Sequence, residues 1–331
     1  MHKSYALLVG SGYGIFKLLI CAKRIIRRLL SSKKIREEKM KSKKRSRTAQ
    51  MAAVIRALHW AYESPVVFED PFAGQLAGPG WQFLCKSRLL YLFATRTIYK
   101  SLDPIRRQVL ARARYAEDKL REALESGVRQ YVIIGAGLDS FALRRSDLDG
   151  KIRIYELDHP ATQQAKKARV EELNLRLPKN HEFVPIDFEK ENLCHALAGS
   201  SYDPEVPAFF SWLGTVHYIS QPAVFQTLTS IQSCACPESE LVFDYAIPEK
   251  HYSRQDHKTV SDLKRYTKRR GEPIISMFDP DVFPRQVSQL GFSLLENVSP
   301  QEQAGKYFNA TGKKEKIMPG SYFIHFRVME K

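Results

Sequence analysis

The chain has 331 residues, 44% of them hydrophobic, which is enough for the core of one elaborated α/β domain or of two smaller domains. Its five cysteines are few and irregularly spaced, and Cys234 and Cys236 have no second pair or histidine cluster beside them, which argues against a disulfide framework and a metal site. Residues 1–47 hold 15 Lys/Arg and 2 Glu, a net of +13 out of +16, so the remainder carries only +3. The body is nearly neutral, and we expect no nucleic-acid partner.

Residues 1–46 form a basic N-terminal extension. Its apolar part, residues 5–22, contains three glycines and Lys17, unlike a membrane-spanning helix, and its positive charge follows the apolar part instead of preceding it as in a secretory signal. Two interpretations stay open: a solvated, flexible extension, or a basic amphipathic helix that contacts an anionic membrane surface through residues 5–30. We therefore expect a cytoplasmic protein, with peripheral membrane contact as the alternative.

The folded domain is expected over residues 47–331. It begins with an Ala-rich stretch at helical spacing, which Ser46 or Thr48 could cap. Pro104 and Gly127 mark the two ends of a later helix, where these residue types are common. Helices are predicted over 48–63, 82–100 and 104–126.

Beyond residue 127, short apolar runs alternate with helical stretches. This alternation predicts an α/β fold whose parallel sheet is covered by helices on both faces. In such sheets, ligands bind outside the carboxyl ends of the strands. The predicted strands are 131–135, 152–158, 182–188, 207–214 and 240–247, and the predicted helices are 139–146, 159–173, 190–198 and 221–234.

The first strand runs into a glycine turn, "GAGLDS". Gly135 and Gly137 lack Cβ atoms, so the backbone can turn sharply and approach a ligand closely. Dinucleotide-binding turns favour a third glycine where this chain has Ser140, and Asp139 puts a carboxylate near the position of a pyrophosphate. The turn therefore favours a nucleoside cofactor without phosphates, S-adenosylmethionine.

Acidic residues follow the next two predicted strands. Glu156 and Asp158 lie 19 and 21 residues beyond Gly137, the distance at which a carboxylate commonly holds ribose hydroxyls. Strand alternation puts both on one side, so the sequence does not choose between them. At the third strand end, Asp187 could accept from an adenine amino group and Phe188 could pack on the ring.

Seven stretches of the chain resemble the leucine carboxyl methyltransferase family, and more closely its bacterial branch of S-adenosylmethionine-dependent O-methyltransferases acting on small molecules. The resemblance covers roughly residues 46–300 in order. It implies the class I methyltransferase (Rossmann-like) fold: a seven-stranded, mostly parallel sheet whose last strand, 321–328, is antiparallel, with cap helices over 48–126 and a lid insertion over 247–285. The stretches are "RTAQMAAVIRA", "LARARYAED", "VIIGAGLDSFALR", "YELDHPA", "VPIDF", "FFSWLGTVHYIS" and "GEPIISMFDPDVFPRQVSQLGF".

The resemblance also implies residues for the cofactor's carboxylate. These are Arg47 and Arg112, with Arg114 as the alternative to Arg112, and a guanidinium fork suits a carboxylate. The chain departs from the family at Leu213, where many relatives carry a Glu before the glycine. That departure puts part of the contact with the methionine end of the cofactor in doubt.

The predicted reaction is methyl transfer to a carboxylate or hydroxyl of a small-molecule acceptor. A hydroxyl acceptor needs a base, for which His217 is the candidate, and Tyr218 is the second predicted cleft residue. The alternatives are a non-catalytic binding or scaffold protein that retains the fold, and a protein C-terminal carboxyl methyltransferase. Basic residues in the lid are typical of a solvated charged loop, with recognition of an acidic acceptor as the alternative. Five aromatic residues belong to the core or line an apolar acceptor cavity: Phe68, Phe72, Trp81, Phe278 and Phe283.

Overall fold

The structure, a computed structural model, describes residues 47–89, 91–92, 103–268, 273–308 and 316–330. The predicted extension over residues 1–46 lies outside these ranges, as do parts of the predicted helix 82–100 and of the predicted lid. Within the described ranges, no helix combines the length and the apolar character needed to cross a membrane.

The described strands form one seven-stranded sheet. Its order is β3-β2-β1-β4-β5-β7-β6, with parallel pairing among β1 to β5 and antiparallel pairing of β7 with both β5 and β6. Every residue of β1 and β4 is buried, as expected for parallel strands covered on both faces. The fold class predicted from the sequence is confirmed. The strands are β1 (Gln130–Ile134), β2 (Arg153–Asp158), β3 (His181–Pro185), β4 (Ala208–Trp212), β5 (Glu240–Ala246), β6 (Phe292–Val298) and β7 (Ser321–Val328).

Strand β6 is the one that the sequence analysis did not locate. It forms an edge of the sheet, and an irregularity between Leu294 and Glu296 breaks its register with β7. Leu294 and Leu295 are both partly exposed, at 42% and 39%, so the strand lacks the alternation of apolar and polar residues that marks a half-buried strand.

Helices cover the sheet and build the cap. The predicted helix 82–100 is interrupted, because α3 ends at Cys85 and the chain is not helical at Lys86 and Ser87. The predicted helix 139–146 is one short turn. The helices are α1 (Arg47–Tyr62), α2 (Ala73–Leu76), α3 (Pro79–Cys85), α4 (Asp103–Glu125), α5 (Phe141–Arg144), α6 (Pro160–Glu172), α7 (Leu193–Ala198), α8 (Gln221–Cys234), α9 (Arg254–Lys268), α10 (Phe283–Ser288) and α11 (Pro300–Phe308).

Candidate active site

The turn after β1 is strained in a way that only glycine tolerates easily. Gly135 and Gly137 have φ angles of +70° and +55°. A Cβ atom on Gly135 would lie 2.5 Å from Thr215 Cγ2, and one on Gly137 would lie 3.0 Å from the Cβ of Ala49 in α1. The turn therefore packs closely against both the chain after β4 and the first cap helix.

A cleft opens above this turn at the carboxyl ends of β1, β2 and β4, and we call it the glycine-turn cleft. Helices α1 and α4 close it from the cap side. Its lining residues are Thr48, Ala49, Ala52, Arg56, Val109, Arg112, Ala113, Ile133, Ile134, Gly135, Ala136, Gly137, Leu138, Asp139, Asp158, Ser211, Leu213, Gly214, Thr215 and Tyr218.

The two acids of β2 have different surroundings. Asp158 lines the cleft and accepts hydrogen bonds from the backbone N–H groups of Gly137 and of His159, the latter at 2.6 Å, and burial raises its pKa. Glu156 is buried outside the cleft, paired with Lys166 and 3.1 Å from His181. Burial opposes ionisation of Glu156, but these two partners outweigh it and lower its pKa to about 2. The structure thus brings Asp158, not Glu156, to the cleft.

Of the remaining predicted residues, one lines the cleft and two do not. Asp139 lines the cleft and accepts a 2.7 Å hydrogen bond from the N–H of Phe141, the first residue of α5. Asp187 is bonded to Lys190 at 2.8 Å, outside the lining, and that bond lowers its pKa. Phe188 packs against the hydrophobic core. Asp187 and Phe188 thus lie at the end of β3 but do not line the cleft.

Arg112 is held where the cleft meets the interior. One guanidinium nitrogen lies 3.3 Å from Asp244 Oδ2, and a Cβ atom on Gly214 would come within 2.4 Å of this group. Asp244 in β5 is fully buried and also accepts from Gln108 Nε2 at 2.9 Å and from the Gly214 N–H at 2.5 Å.

Arg114, by contrast, is 44% exposed and bonded to Asp118 at 2.9 Å, away from the cleft. The other predicted arginine, Arg47, is the first residue of α1, and its side chain lies outside what the structure describes.

Sequence analysis missed Asp244 and Arg56. Asp244 lies inside an apolar strand, and its one detectable signal is that a charged residue interrupts the run "LVFDYA". Arg56 lines the cleft from α1, donating to the backbone oxygen of Leu138 and to Asp70, both at 2.8 Å. Nothing in the periodicity of α1 distinguishes Arg56 from a solvated arginine.

A second cavity adjoins the cleft, and we call it the apolar cavity. Thr48, Ala52, Val109, Arg112 and Tyr218 line both spaces. The other residues that line the apolar cavity are Met51, Ile55, Ile105, Arg106, Gln108, His217, Ala246, Tyr252, Val260, Leu263, Lys264, Thr267, Ile274, Met277, Met318, Gly320 and Ser321.

The aromatic residues predicted for this cavity do not line it. Phe278 and Phe283 stack at 4.0 Å within the main core, and Phe68 packs under the Arg144 guanidinium at 4.7 Å. Phe72 and Trp81 pack against the core of the cap. Of the two alternatives, the structure favours core packing, because these large rings pack against other core side chains and leave the cavity wall largely to Met and aliphatic residues.

His217 and Tyr218 follow β4 and have their rings 4.1 Å apart. Burial lowers the pKa of His217 to about 4; Asp244 raises it and Arg112 lowers it further, so the imidazole is neutral near pH 7. The backbone oxygen of His217 accepts from the N–H of Ile275 at 2.9 Å, which ties it to the segment after α9.

A comparison of the chain with models of known protein families decides which family it belongs to. The model described as "Leucine carboxyl methyltransferase" matches residues 49–232. The chain belongs to the leucine carboxyl methyltransferase family.

Relatives of this family member carry a common description. This chain is 29% identical over 309 residues to "Putative S-adenosyl-L-methionine-dependent methyltransferase YktD" of Bacillus subtilis (strain 168), and the match covers 86% of this chain and 99% of the relative. A protein of Mycolicibacterium gilvum (strain PYR-GCK) with the same description is 30% identical over 207 residues, which is 60% of this chain and 65% of the relative.

Two solved structures share the fold of this leucine carboxyl methyltransferase family member. A duf574 family protein from Streptomyces avermitilis has a TM-score of 0.55 at 14% identity, covering 88% of this chain and 99% of the other. A "putative methyltransferase" from Thermobifida fusca YX has a TM-score of 0.51 at 15% identity, covering 85% and 95%. The chain is therefore an S-adenosylmethionine-dependent methyltransferase of the class I fold, and S-adenosylmethionine is its cofactor.

The glycine-turn cleft fits this cofactor. Its two glycines let the turn lie close against Thr215 and Ala49 at the floor of the cleft, and its two carboxylates, Asp139 and Asp158, disfavour a pyrophosphate. Thr215 Oγ1 is buried beside the turn with no hydrogen-bond partner among the described residues, which leaves one polar atom for a ligand or a water. No group of three or more metal-ligating side chains occurs in the described part of the chain.

We predict that Gly214→Ala weakens S-adenosylmethionine binding at least tenfold. The new Cβ would collide with the Arg112 guanidinium at 2.4 Å, and Gly214 has a φ of +68°. The matched control is Gly150→Ala, because Gly150 has a φ of +73° and nothing within 4 Å of the Cβ position. Both variants should lose roughly 1 kcal/mol of stability from backbone strain. Calorimetric titration should show weakened binding for Gly214→Ala alone; equal affinities would contradict the role of Arg112.

We predict that Asp244→Asn also weakens cofactor binding roughly tenfold. In either orientation the amide nitrogen would face a donor, the Gly214 N–H on one side or Gln108 Nε2 and Arg112 on the other, and the guanidinium loses its anionic partner. Glu240→Gln is the matched control, since Glu240 is a buried carboxylate at the opposite end of β5, paired with Arg327 at 3.0 Å. Both variants should lower the Tm. An unchanged cofactor Kd in Asp244→Asn would refute the anchoring role.

We predict that His217 makes stability depend on pH. The pKa of His217 is about 4 in the folded chain against 6.5 ordinarily, so the unfolded chain binds the proton more readily. Stability is therefore complete above pH 6.5 and is lost as the pH falls from 6.5 towards 4, by up to about 2 kcal/mol between pH 7 and pH 5. Urea unfolding at both pH values should show a smaller difference for His217→Gln. The exposed His195→Gln is the control, and an equal effect from it would disprove the assignment.

Proposed function

We propose that this methyltransferase transfers the methyl group to a carboxylate or hydroxyl oxygen of a small-molecule acceptor bound in the apolar cavity. The observation that carries the proposal is that this cavity adjoins the glycine-turn cleft at Arg112 and Tyr218. No Asp or Glu is among the described residues that line it. A cationic amine acceptor would therefore be buried there without a carboxylate to balance its charge. A neutral or anionic oxygen acceptor does not need such a carboxylate.

Five residues of the cleft would contact different parts of the cofactor. Asp158 would accept from ribose hydroxyls, since a carboxylate has about four lone-pair sites and two are engaged by backbone N–H groups. Arg112 would hold the carboxylate of the methionine moiety. Gly135 and Gly137 would let the backbone approach the nucleoside, and Thr215 Oγ1 would contact the polar methionine end, where Leu213 offers no charge.

The chemistry asks little of the chain beyond alignment. When bound, S-adenosylmethionine supplies a methyl group already activated by its positively charged sulfur. The protein contributes by fixing the acceptor oxygen in line with that methyl, in a space lined by aliphatic side chains. A carboxylate acceptor needs no base. A hydroxyl acceptor would give its proton to the neutral imidazole of His217, with Tyr218 beside it.

Three cations lie on the described wall of the apolar cavity, Arg106, Arg112 and Lys264, and Arg112 is the one assigned to the cofactor. Arg106 is bonded to Glu63 and to Asp103, the latter at 3.1 Å, so its charge is largely neutralised. Lys264 in α9 pairs with Glu249 at 2.5 Å, and Glu249 is 59% exposed, so solvent screens that pair. Lys264 is therefore the cation on the described wall best able to attract an acidic acceptor.

The location of the protein stays a prediction. The composition of residues 5–30 supports a cytoplasmic protein with a peripheral membrane contact. Flotation with vesicles containing anionic lipid should carry the full chain upward, and replacing the Lys and Arg of residues 17–28 by Gln should abolish this. A parent chain that does not float would leave the solvated extension as the better interpretation, and flotation unaffected by those replacements would refute a contact through these basic residues.

We predict methyl transfer from labelled S-adenosylmethionine to members of a panel of apolar carboxylic acids, phenols and alcohols. Methyl esters release methanol in base and methyl ethers do not, so the product identifies the acceptor oxygen. For an ether product, His217→Gln should lower kcat/KM by roughly a hundredfold or more, because the base is lost. For an ester product, the same variant should change kcat/KM only a few-fold, because a carboxylate acceptor needs no base.

Three outcomes would overturn the proposal. Transfer to amines would refute an oxygen acceptor, and transfer only to the terminus of a protein would favour a protein carboxyl methyltransferase. Saturable cofactor binding with no transfer to any acceptor, including cell extracts, would favour a binding protein that retains the fold.

A further inference from the structure

We propose that a second ligand site, for a small phosphorylated molecule, lies at the amino ends of β1, β2 and β3. Four cations, Arg129, Lys151, Arg153 and Lys179, line one cavity of about 620 Å³ there. We call this cavity the basic groove. Its volume falls within the roughly 300–1,000 Å³ typical of small-molecule sites.

The basic groove is separate from the glycine-turn cleft. The cleft lies at the carboxyl ends of the same strands, and β1 has five residues and β2 six. At about 3.3 Å per residue, the two sites lie roughly 17–20 Å apart along the strands. Neither cofactor nor acceptor can therefore account for the charge that gathers here.

Two amide side chains, the buried Gln130 and the half-buried Asn180, hold the groove in shape. Gln130 donates through Nε2 to the backbone oxygens of Asp203 and Val206 at 2.7 and 2.9 Å, and accepts from the Asp203 N–H at 2.9 Å. Asn180 donates to the backbone oxygen of Ile152 at 2.5 Å. The loops that enter β2, β3 and β4 are thus fixed to one another before any ligand binds, which lowers the entropic cost of binding.

None of the four cations forms an ion pair with a described carboxylate; the charge of Asp147 interacts with that of Lys151 without pairing with it. Arg129 donates to the backbone oxygens of Leu124 and Val128 at 3.0 and 2.7 Å, and Arg153 donates to that of Ser201 at 2.7 Å. Neutral carbonyls thus hold both guanidinium groups while leaving their charge uncompensated. The side-chain ammonium groups of Lys151 and Lys179 form no hydrogen bond or ion pair with any described residue.

The acids of the groove are already engaged. Glu182 accepts from the N–H and hydroxyl of Ser201 at 3.1 and 2.9 Å, and Asp203 accepts from the Glu205 N–H at 3.0 Å. Four cations against two carboxylates leave a surplus of two positive charges. A phosphate dianion or a diphosphate matches that surplus, and guanidinium forks suit phosphate oxygens. Because the cations converge on one concavity, a small ligand fits better than an extended polymer.

The test is calorimetric titration of the full chain with inorganic pyrophosphate at constant ionic strength. The double variant Lys151→Glu/Lys179→Glu should bind at least tenfold more weakly than the parent. The matched control is Lys86→Glu/Lys258→Glu, which makes the same charge change at two exposed lysines outside the groove. The control is essential because the basic residues 1–47 also attract anions in every variant. S-adenosylmethionine binding should be unchanged in both, which establishes that the fold is intact.

Parallel titrations with adenosine diphosphate and with fructose 1,6-bisphosphate distinguish a nucleotide from a sugar phosphate. If the double variant does not fold, Lys179→Ala alone should still weaken pyrophosphate binding several-fold. Equal affinity in the double variant and the control, or no saturable pyrophosphate binding by the parent, would overturn the site. A selective loss of oligonucleotide binding without any loss of pyrophosphate binding would show a nucleic-acid surface instead.

Discussion

The buried carboxylate of Asp244 joins the sheet to the cap where the glycine-turn cleft meets the apolar cavity. It accepts hydrogen bonds from the Gly214 N–H after β4 and from Gln108 and Arg112 of α4. One side chain of β5 therefore connects that strand to the turn after β4 and to α4. A buried carboxylate is tolerable only because these donors and a cation satisfy it. The position of Arg112, and with it the form of the cleft where it adjoins the apolar cavity, depends on this arrangement.

A second buried network supports the glycine turn from the opposite side. Arg56 bridges Leu138 and Asp70, and Arg144 pairs with Glu117 and lies 3.9 Å from Asp70. The network links α1, α4 and α5 around the residues that follow Gly137. The cap is thus attached to the cleft by charged hydrogen bonds, which are directional, as well as by apolar packing.

The two adjoining spaces differ in electrostatic character, as methyl transfer requires. The glycine-turn cleft presents backbone, two carboxylates and a guanidinium, which suit a zwitterionic nucleoside. The apolar cavity presents mostly aliphatic side chains, with three cations and a neutral imidazole whose pKa burial holds near 4. In the proposed reaction a neutral His217 could accept a proton at neutral pH, and its low pKa would make it a weak base. A carboxylate acceptor, which needs no base, suits that wall well.

The sequence by itself determined the fold class, the positions of β1 to β5 and the glycine turn, and the resemblance to the family added β7. Strand alternation, β-propensity and glycine all act over a few residues, so a local pattern records them. It did not locate β6, whose exposed leucines and broken register erase the period of two.

Only the tertiary structure decided which charged residues reach the cleft. Glu156 and Asp158 are two residues apart on one strand, yet one is neutralised by Lys166 from α6 and the other lies under the Gly137 N–H. Arg112 and Arg114 are likewise two residues apart, yet only Arg112 lines the cleft. The partners of Asp244 lie 30 or more residues away in the chain. Such roles depend on packing between elements far apart in the chain, and no local pattern encodes that packing.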